Sequence, residues 1–100
     1  MHRVTVQYAV PTDPADFDAR YRAEHVPLVH ALPGIAGCTL SWPRPLAGEK
    51  VVHLVAQLDF ASAEDLQTAL RSPEMAEAGR HAATLGVPAS MFVGEVETVA

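Results

Sequence analysis

Three features of the sequence predict an α+β domain: segments in which apolar and polar residues alternate, helical stretches with apolar stripes between them, and proline or glycine at most boundaries. Their order is βαββαβ, which predicts a four-stranded antiparallel sheet with its helices on one face. A chain of 100 residues holds this as a single domain over residues 1–100.

The first strand is predicted over His2 to Ala9, with Val4, Val6 and Tyr8 on one face and Arg3, Thr5 and Gln7 on the other. Pro11 closes it. Asp13 then reads as an N-cap before Pro14, where the missing N–H costs nothing. Phe17, Tyr21 and Leu28 form the inner stripe of the first helix, while Asp16, Arg20 and Glu24 lie off it. Pro27 removes an amide donor, so the helix is expected to end or kink around Glu24 to Val26, with a further turn reaching Leu32 before Pro33 and Gly34 stop it.

A second strand is predicted where Cys38, Leu40 and Trp42 alternate with Thr39 and Ser41, terminated by Pro43 and Pro45. The third is long: Val52, Leu54, Ala56, Leu58 and Phe60 alternate with His53, Val55, Gln57 and Asp59. Ser62, with Asp65 three residues on, caps a helix beginning at Ala63. Ser72 and Pro73 restart a short helix carrying Met75, Gly79 and Ala82. After Pro88, Met91 and Val93 alternate with Ser90, Phe92 and Gly94 in a fourth strand running to about Val96. This order is the ferredoxin-like split arrangement.

Charged residues make up 19% of the chain, below the roughly 25% typical of soluble domains, so part of the monomer surface is expected to be covered. The net charge is −5, Lys50 is the only lysine and the arginines are scattered, which leaves no basic stripe for nucleic acid. Cys38 stands alone and reads as a small buried hydrophobe. No stretch approaches the ~20 apolar residues of a membrane helix and no basic, apolar leader opens the chain, so no membrane partner is expected and a cytoplasmic location is the default.

The shortage of charge falls on one sheet face. Helices cover one side, and the more apolar sets of strand residues suit it. The other side carries Thr5, Gln7, Thr39, Ser41, His53, Val55, Gln57, Ser90 and Phe92, polar but nearly uncharged. Leaving Val55 and Phe92 in water forfeits roughly 1.5–3 kcal/mol each. Two such faces are therefore expected to pack as a homodimer around a small-molecule cavity.

His25, eight residues after Phe17 and four after Tyr21, is the first candidate for chemistry. Two roles fit: a general acid or base at the cavity mouth, or a cap on the broken helix. His53 is the second, since strand alternation puts it beside Val55 and Gln57 on the open face. Tyr21, one turn from His25, either orients it and contacts the ligand or packs its ring in the core, and Thr5, Gln7, Ser41, Val55, Gln57, Ser90 and Phe92 are further candidate ligand contacts. His2, His30 and His81 read as surface or helix-edge residues with no assigned role. His25 and His30 are five apart, which does not suit a metal pair on one helix face, and no Gly-rich loop opens a helix, so neither metal nor cofactor is expected.

Tyr8 to Pro11, Phe17, Tyr21, the run Glu24-His25-Val26-Pro27-Leu28 and Leu32-Pro33-Gly34 resemble the EthD family, named for ethyl tert-butyl ether degradation. The likeness continues through Ala56 to Phe60, Leu66 to Leu70, Ser72-Pro73-Glu74 and Gly94-Glu95, with His-x-Pro-Leu its most specific element. The resemblance implies a dimeric α+β barrel, with the matching histidine, His25, as acid or base. Proteins of similar fold include cofactor-free lactone isomerases, polyketide cyclases and quinone-forming monooxygenases, so the fold alone does not choose among them. Haem-degrading relatives often use an asparagine, a tryptophan and a histidine; this chain has Trp42 but no asparagine. The resemblance leaves three functions open: a cofactor-independent isomerase, cyclase or oxidoreductase, a binding accessory to an oxygenase, or a structural or stress-related dimer.

Overall fold

In the computed structural model, which describes all residues from Met1 to Ala100, the sheet order is β2-β3-β1-β4 and every pairing is antiparallel. The strands are β1 (His2–Ala9), β2 (Ile35–Ser41), β3 (Val52–Phe60) and β4 (Ala89–Glu95). The helices are α1 (Pro14–Arg20), a π-helical turn (Tyr21–His25) running directly into α2 (Val26–His30), α3 (Ala63–Leu70) and α4 (Pro73–Thr84). This is the ferredoxin-like α+β arrangement expected from the element order.

The capping signals act as read. Asp13, Ser62 and Ser72 each accept a hydrogen bond from the amide three residues on, at 3.1 Å, satisfying donors that a helix start leaves free. Two boundaries differ. β2 begins at Ile35, earlier than expected, because Gly34 adopts a φ of +73° and turns the chain straight from the helix into the sheet. Trp42 falls outside β2 and is 37% exposed. The helix started by Ser72 is 12 residues long and is the longest of the set, because nothing between Pro73 and Thr84 breaks it.

Pro27 does not end the first helix. It lacks the N–H that would bond Ala23, and the backbone answers with a wider turn in which the Val26 N–H donates to the Tyr21 carbonyl. That turn takes up one extra residue, which rotates everything after it by about 100°. The buried positions are therefore Phe17, Tyr21, His25, Val29 and Leu32, and Leu28, expected on the inner stripe, is only half-buried.

Val4, Val6 and Tyr8 of β1 and Leu54, Ala56, Leu58 and Phe60 of β3 meet the helices in the core. Burying such side chains contributes roughly 1.5–3 kcal/mol each for the larger ones. β4 is exposed along its whole length, since the helical layer packs on β1, β2 and β3 and stops short of it. Met91 and Val93, expected beneath the helices, thus remain 58% exposed each.

A second irregularity lies in β3. Tyr8 pairs with Leu54 but Ala9 pairs with Val52, so His53 is an extra residue in the ladder. The alternation that put His53 on the open face fails at this bulge, and both His53 and Leu54 are buried. His53 turns toward α1 instead.

Candidate active site

A cavity of about 80 Å³ lies between sheet and helices. Val4, Val6, Tyr8 and Leu58 form its floor, Tyr21, His25, Val29 and Leu32 one wall, and Met75, Ala78, Gly79 and Ala82 of α4 another. The exposed Gly79, Ala89 and Met91 mark its mouth between α4 and β4. It lies on the helix side of the sheet; a second, more open concavity touches Gln7 and Val55 on the opposite face, where the sequence pattern places the ligand space.

His25 is the only ionisable side chain other than the two tyrosines on this lining. The π-helical turn carries it inward onto the buried stripe. It is 5% exposed, and burial, helped by the neighbouring His81, lowers its pKa to about 4. The ring is neutral at pH 7. Its Nδ1 lies 2.9 Å from His81 Nδ1, and His81 Nε2 lies 3.0 Å from Glu24 Oε1. Glu24 is also 3.6 Å from Arg20 Nε; the hydrogen bond from His81, aided by Arg20, holds its carboxyl below the usual range. Arg20 in turn donates to the Thr84 carbonyl and hydroxyl, tying α1 to the end of α4. His25 Nε2 has no hydrogen-bond partner and is not sealed off, leaving it to the cavity. The helix-capping role is not seen: His25 continues into α2 without a side-chain cap bond.

The Tyr21 ring lies 4.8 Å from that of His25, tilted by 38°, and Tyr8 meets Tyr21 edge-on at 5.5 Å. Burial, reinforced by the neighbouring Tyr8 phenol, raises the Tyr21 pKa far above the ordinary range, and burial raises that of Tyr8. Both phenols stay neutral. The cavity is thus apolar, uncharged and supplied with one imidazole lone pair, which suits a neutral ligand and proton transfer more than capture of an anion.

The structure does not bring the other candidates to this cavity. His53 Nε2 is 2.8 Å from Asp18 Oδ1, which also accepts a 3.1 Å hydrogen bond from Trp42 Nε1. Burial opposes ionisation of Asp18, but those two hydrogen bonds outweigh it and its pKa falls. His53 Nδ1 is buried without a partner, and Arg22 sits over the Trp42 ring at 4.7 Å. Cross-strand register puts Thr5, Gln57, Thr39 and Phe92 in one row and Gln7, Val55, Ser41 and Ser90 in the next, on the face away from the helices. There, Arg3 and Asp59 also form a two-bond ion pair at 2.7 and 3.2 Å.

His81 and Glu24 are the residues that sequence reasoning missed. A faint signal existed for His81, which lies three residues after Ala78 and four before Leu85 on the buried stripe of α4. Nothing local links it to His25, 56 positions away. No set of three or more His, Cys, Asp or Glu side chains is arranged to hold a metal ion, and no helix is long and apolar enough to cross a membrane.

A protein of Rhodococcus erythropolis, the uncharacterised 11.0 kDa protein of the thcB-thcC intergenic region, is 39% identical over 75 residues, covering 74% of this chain and 73% of the relative. Among solved structures, an ethyl tert-butyl ether degradation family protein from Bacillus halodurans superimposes with a TM-score of 0.85 at 25% identity, covering 97% of this chain and 99% of that one. A dimeric ferredoxin-like protein of unknown function from Thermobifida fusca matches at 0.71 and 12% identity, covering 95% and 90% of the two chains. SnoaB, a cofactor-independent oxygenase from Streptomyces nogalater, shares the fold with a TM-score of 0.66 at 15% identity, covering 98% and 94%. The EthD domain matches residues 10–85, and the chain belongs to the EthD family.

Proposed function

We propose that this protein is a homodimer that binds a neutral, apolar, oxygen-containing small molecule in the cavity between sheet and helices, and that His25 moves a proton on it without a cofactor. The observation that carries this reading is a neutral imidazole with a free Nε2 on an otherwise apolar cavity wall. Isomerisation, cyclisation and cofactor-independent oxidation of such compounds all begin with loss of a C–H or O–H proton. The occurrence of the fold in a cofactor-independent oxygenase and in dimeric proteins supports the class of chemistry and the assembly.

The open face is assigned to the partner protomer. Thr5, Gln7, Ser41, Val55, Gln57 and Phe92 are better suited to pack against a second copy than to hold the ligand, since the cavity lies on the other side of the sheet. His53, bonded to Asp18 and absent from the cavity lining, is assigned to bracing α1 and Trp42.

A thermal-shift screen of aromatic lactones, quinones and polyketides, followed by turnover assays on the hits, tests the reading. A ligand at 100 times its Kd stabilises by about 2.7 kcal/mol. The expected result is stabilisation of the native chain that is lost in Ala82→Trp, which fills the cavity, and turnover that is lost in His25→Ala. Equal stabilisation of Ala82→Trp contradicts the site, and binding with no turnover leaves a carrier for a partner oxygenase.

A further inference from the structure

Glu24, His81 and His25 form one unbroken line from the protein surface to the cavity, with steps of 3.0 and 2.9 Å. The ionised Glu24 carboxylate has only lone pairs to offer, so His81 Nε2 must carry the proton between them. In the neutral ring that leaves His81 Nδ1 as an acceptor. His25 Nδ1 then donates to it, and the lone pair of His25 falls on Nε2, the atom facing the cavity. One surface carboxylate thereby sets the tautomer of a buried ring two hydrogen bonds away.

We infer that this line is a proton relay that makes His25 Nε2 a base toward the bound molecule and sends the charge it would acquire out to His81. The step balances without any co-reactant. A ligand C–H or O–H bond breaks, its electron pair stays on the ligand, and the proton joins His25 Nε2. The proton on His25 Nδ1 moves to His81 Nδ1, leaving His25 neutral with N–H now at Nε2 and His81 as an imidazolium against Glu24. The cation thus rests at the rim, 3.0 Å from a half-exposed carboxylate, instead of in the apolar cavity, where burial opposes charge on His25. The groups facing this line are Tyr21 beside His25, and Arg20 and Thr84 at its outer end.

The relay narrows the substrate class. The new Nε2–H can donate to an oxyanion formed next to the broken bond or return its proton to a second atom, which converts one tautomer into another. A neutral compound acidified by an adjacent carbonyl, or a hydroxyarene, fits this cavity; a carboxylate or phosphate would meet no cation on its lining. This assignment rests on the cavity being the ligand site, but its test does not need a ligand.

Side-chain ¹⁵N NMR of the full chain with labelled histidine, at pH 7 and without ligand, reads the tautomers directly. The relay requires a proton on His25 Nδ1, none on His25 Nε2, a proton on His81 Nε2, and a coupling between the two Nδ1 atoms across their hydrogen bond. In His81→Phe the coupling is lost and the His25 proton shifts toward Nε2, a change that mere packing support would not produce; His81→Leu, which likewise offers no acceptor, serves the same purpose if the phenylalanine variant does not fold. A native His25 protonated at Nε2, or a tautomer unchanged in the His81 variant, overturns the relay. That failure, with cavity binding intact in the thermal-shift assay, leaves the functional reading standing.

Discussion

His25 and His53 are each 5% exposed, and they sit in one row of aromatic rings that runs from His53 through Phe17 and Tyr21 to His25. Each has a single close hydrogen-bond partner, at 2.9 and 2.8 Å. Their surroundings differ. His53 is clasped by a carboxylate that Trp42 also holds, and its remaining nitrogen is sealed in protein. His25 leans on a second imidazole and keeps its remaining nitrogen beside open space. Burial and a hydrogen bond are common to both, so what separates the histidine we propose to act on a ligand from the one we propose to brace the fold is the cavity next to it.

The largest expected effect breaks that comparison at His25. Removing a positioned acid–base group costs about 10²–10⁴ in rate, so His25→Ala should lose that much turnover on an identified substrate while His53→Asn keeps it within several-fold. Steady-state kinetics on both variants checks this, and equal losses would erase the distinction.

Stability should carry the same signature in its pH dependence. With a folded pKa of about 4 against an ordinary 6.5, His25 stays neutral in the fold while the unfolded chain takes up a proton. Its contribution is present above pH 6.5 and is lost as pH falls toward 4, by roughly 3 kcal/mol in all. Urea denaturation at pH 7 and pH 4.5 should show a larger fall in the native chain than in His25→Phe. A parallel fall in both would remove the burial account of His25.

At His53 the expectation is structural. Asp18→Ala leaves the buried ring with neither nitrogen partnered and frees Trp42, which should cost about 1–3 kcal/mol by denaturant unfolding. Ligand stabilisation measured in the same variant should be unchanged. The smallest effect lies on the open face, where Gln57→Glu would place a charge in each of the two sheets that face each other in the dimer we propose. Dimer dissociation by sedimentation should rise on the order of tenfold, with the cavity unaffected.

Much of the fold was legible because alternation and capping are local. Val4, Val6 and Tyr8 declared one face of β1, and Asp13, Ser62 and Ser72 marked three helix starts that the structure bears out. The site was less legible, because two one-residue insertions decide which way its histidines point. Pro27 announced trouble in the first helix, but not that the backbone would widen into a π-helical turn and bring His25 and Val29 inward. Nothing in the run Val52 to Phe60 announces the bulge that turns His53 away from the open face, since it arises from pairing with Tyr8 and Ala9. His81 entered only when α4 packed against the π-helical turn, a contact with no trace at short range.

Where a ligand binds is the most direct test. Backbone amide shifts of the labelled protein, followed while a thermal-shift hit is titrated in, should move at Tyr21, His25, Met75, Gly79 and Met91 around the cavity. Shifts concentrated instead at Thr5, Gln7, Val55 and Gln57 would put the ligand on the open sheet face and contradict the account.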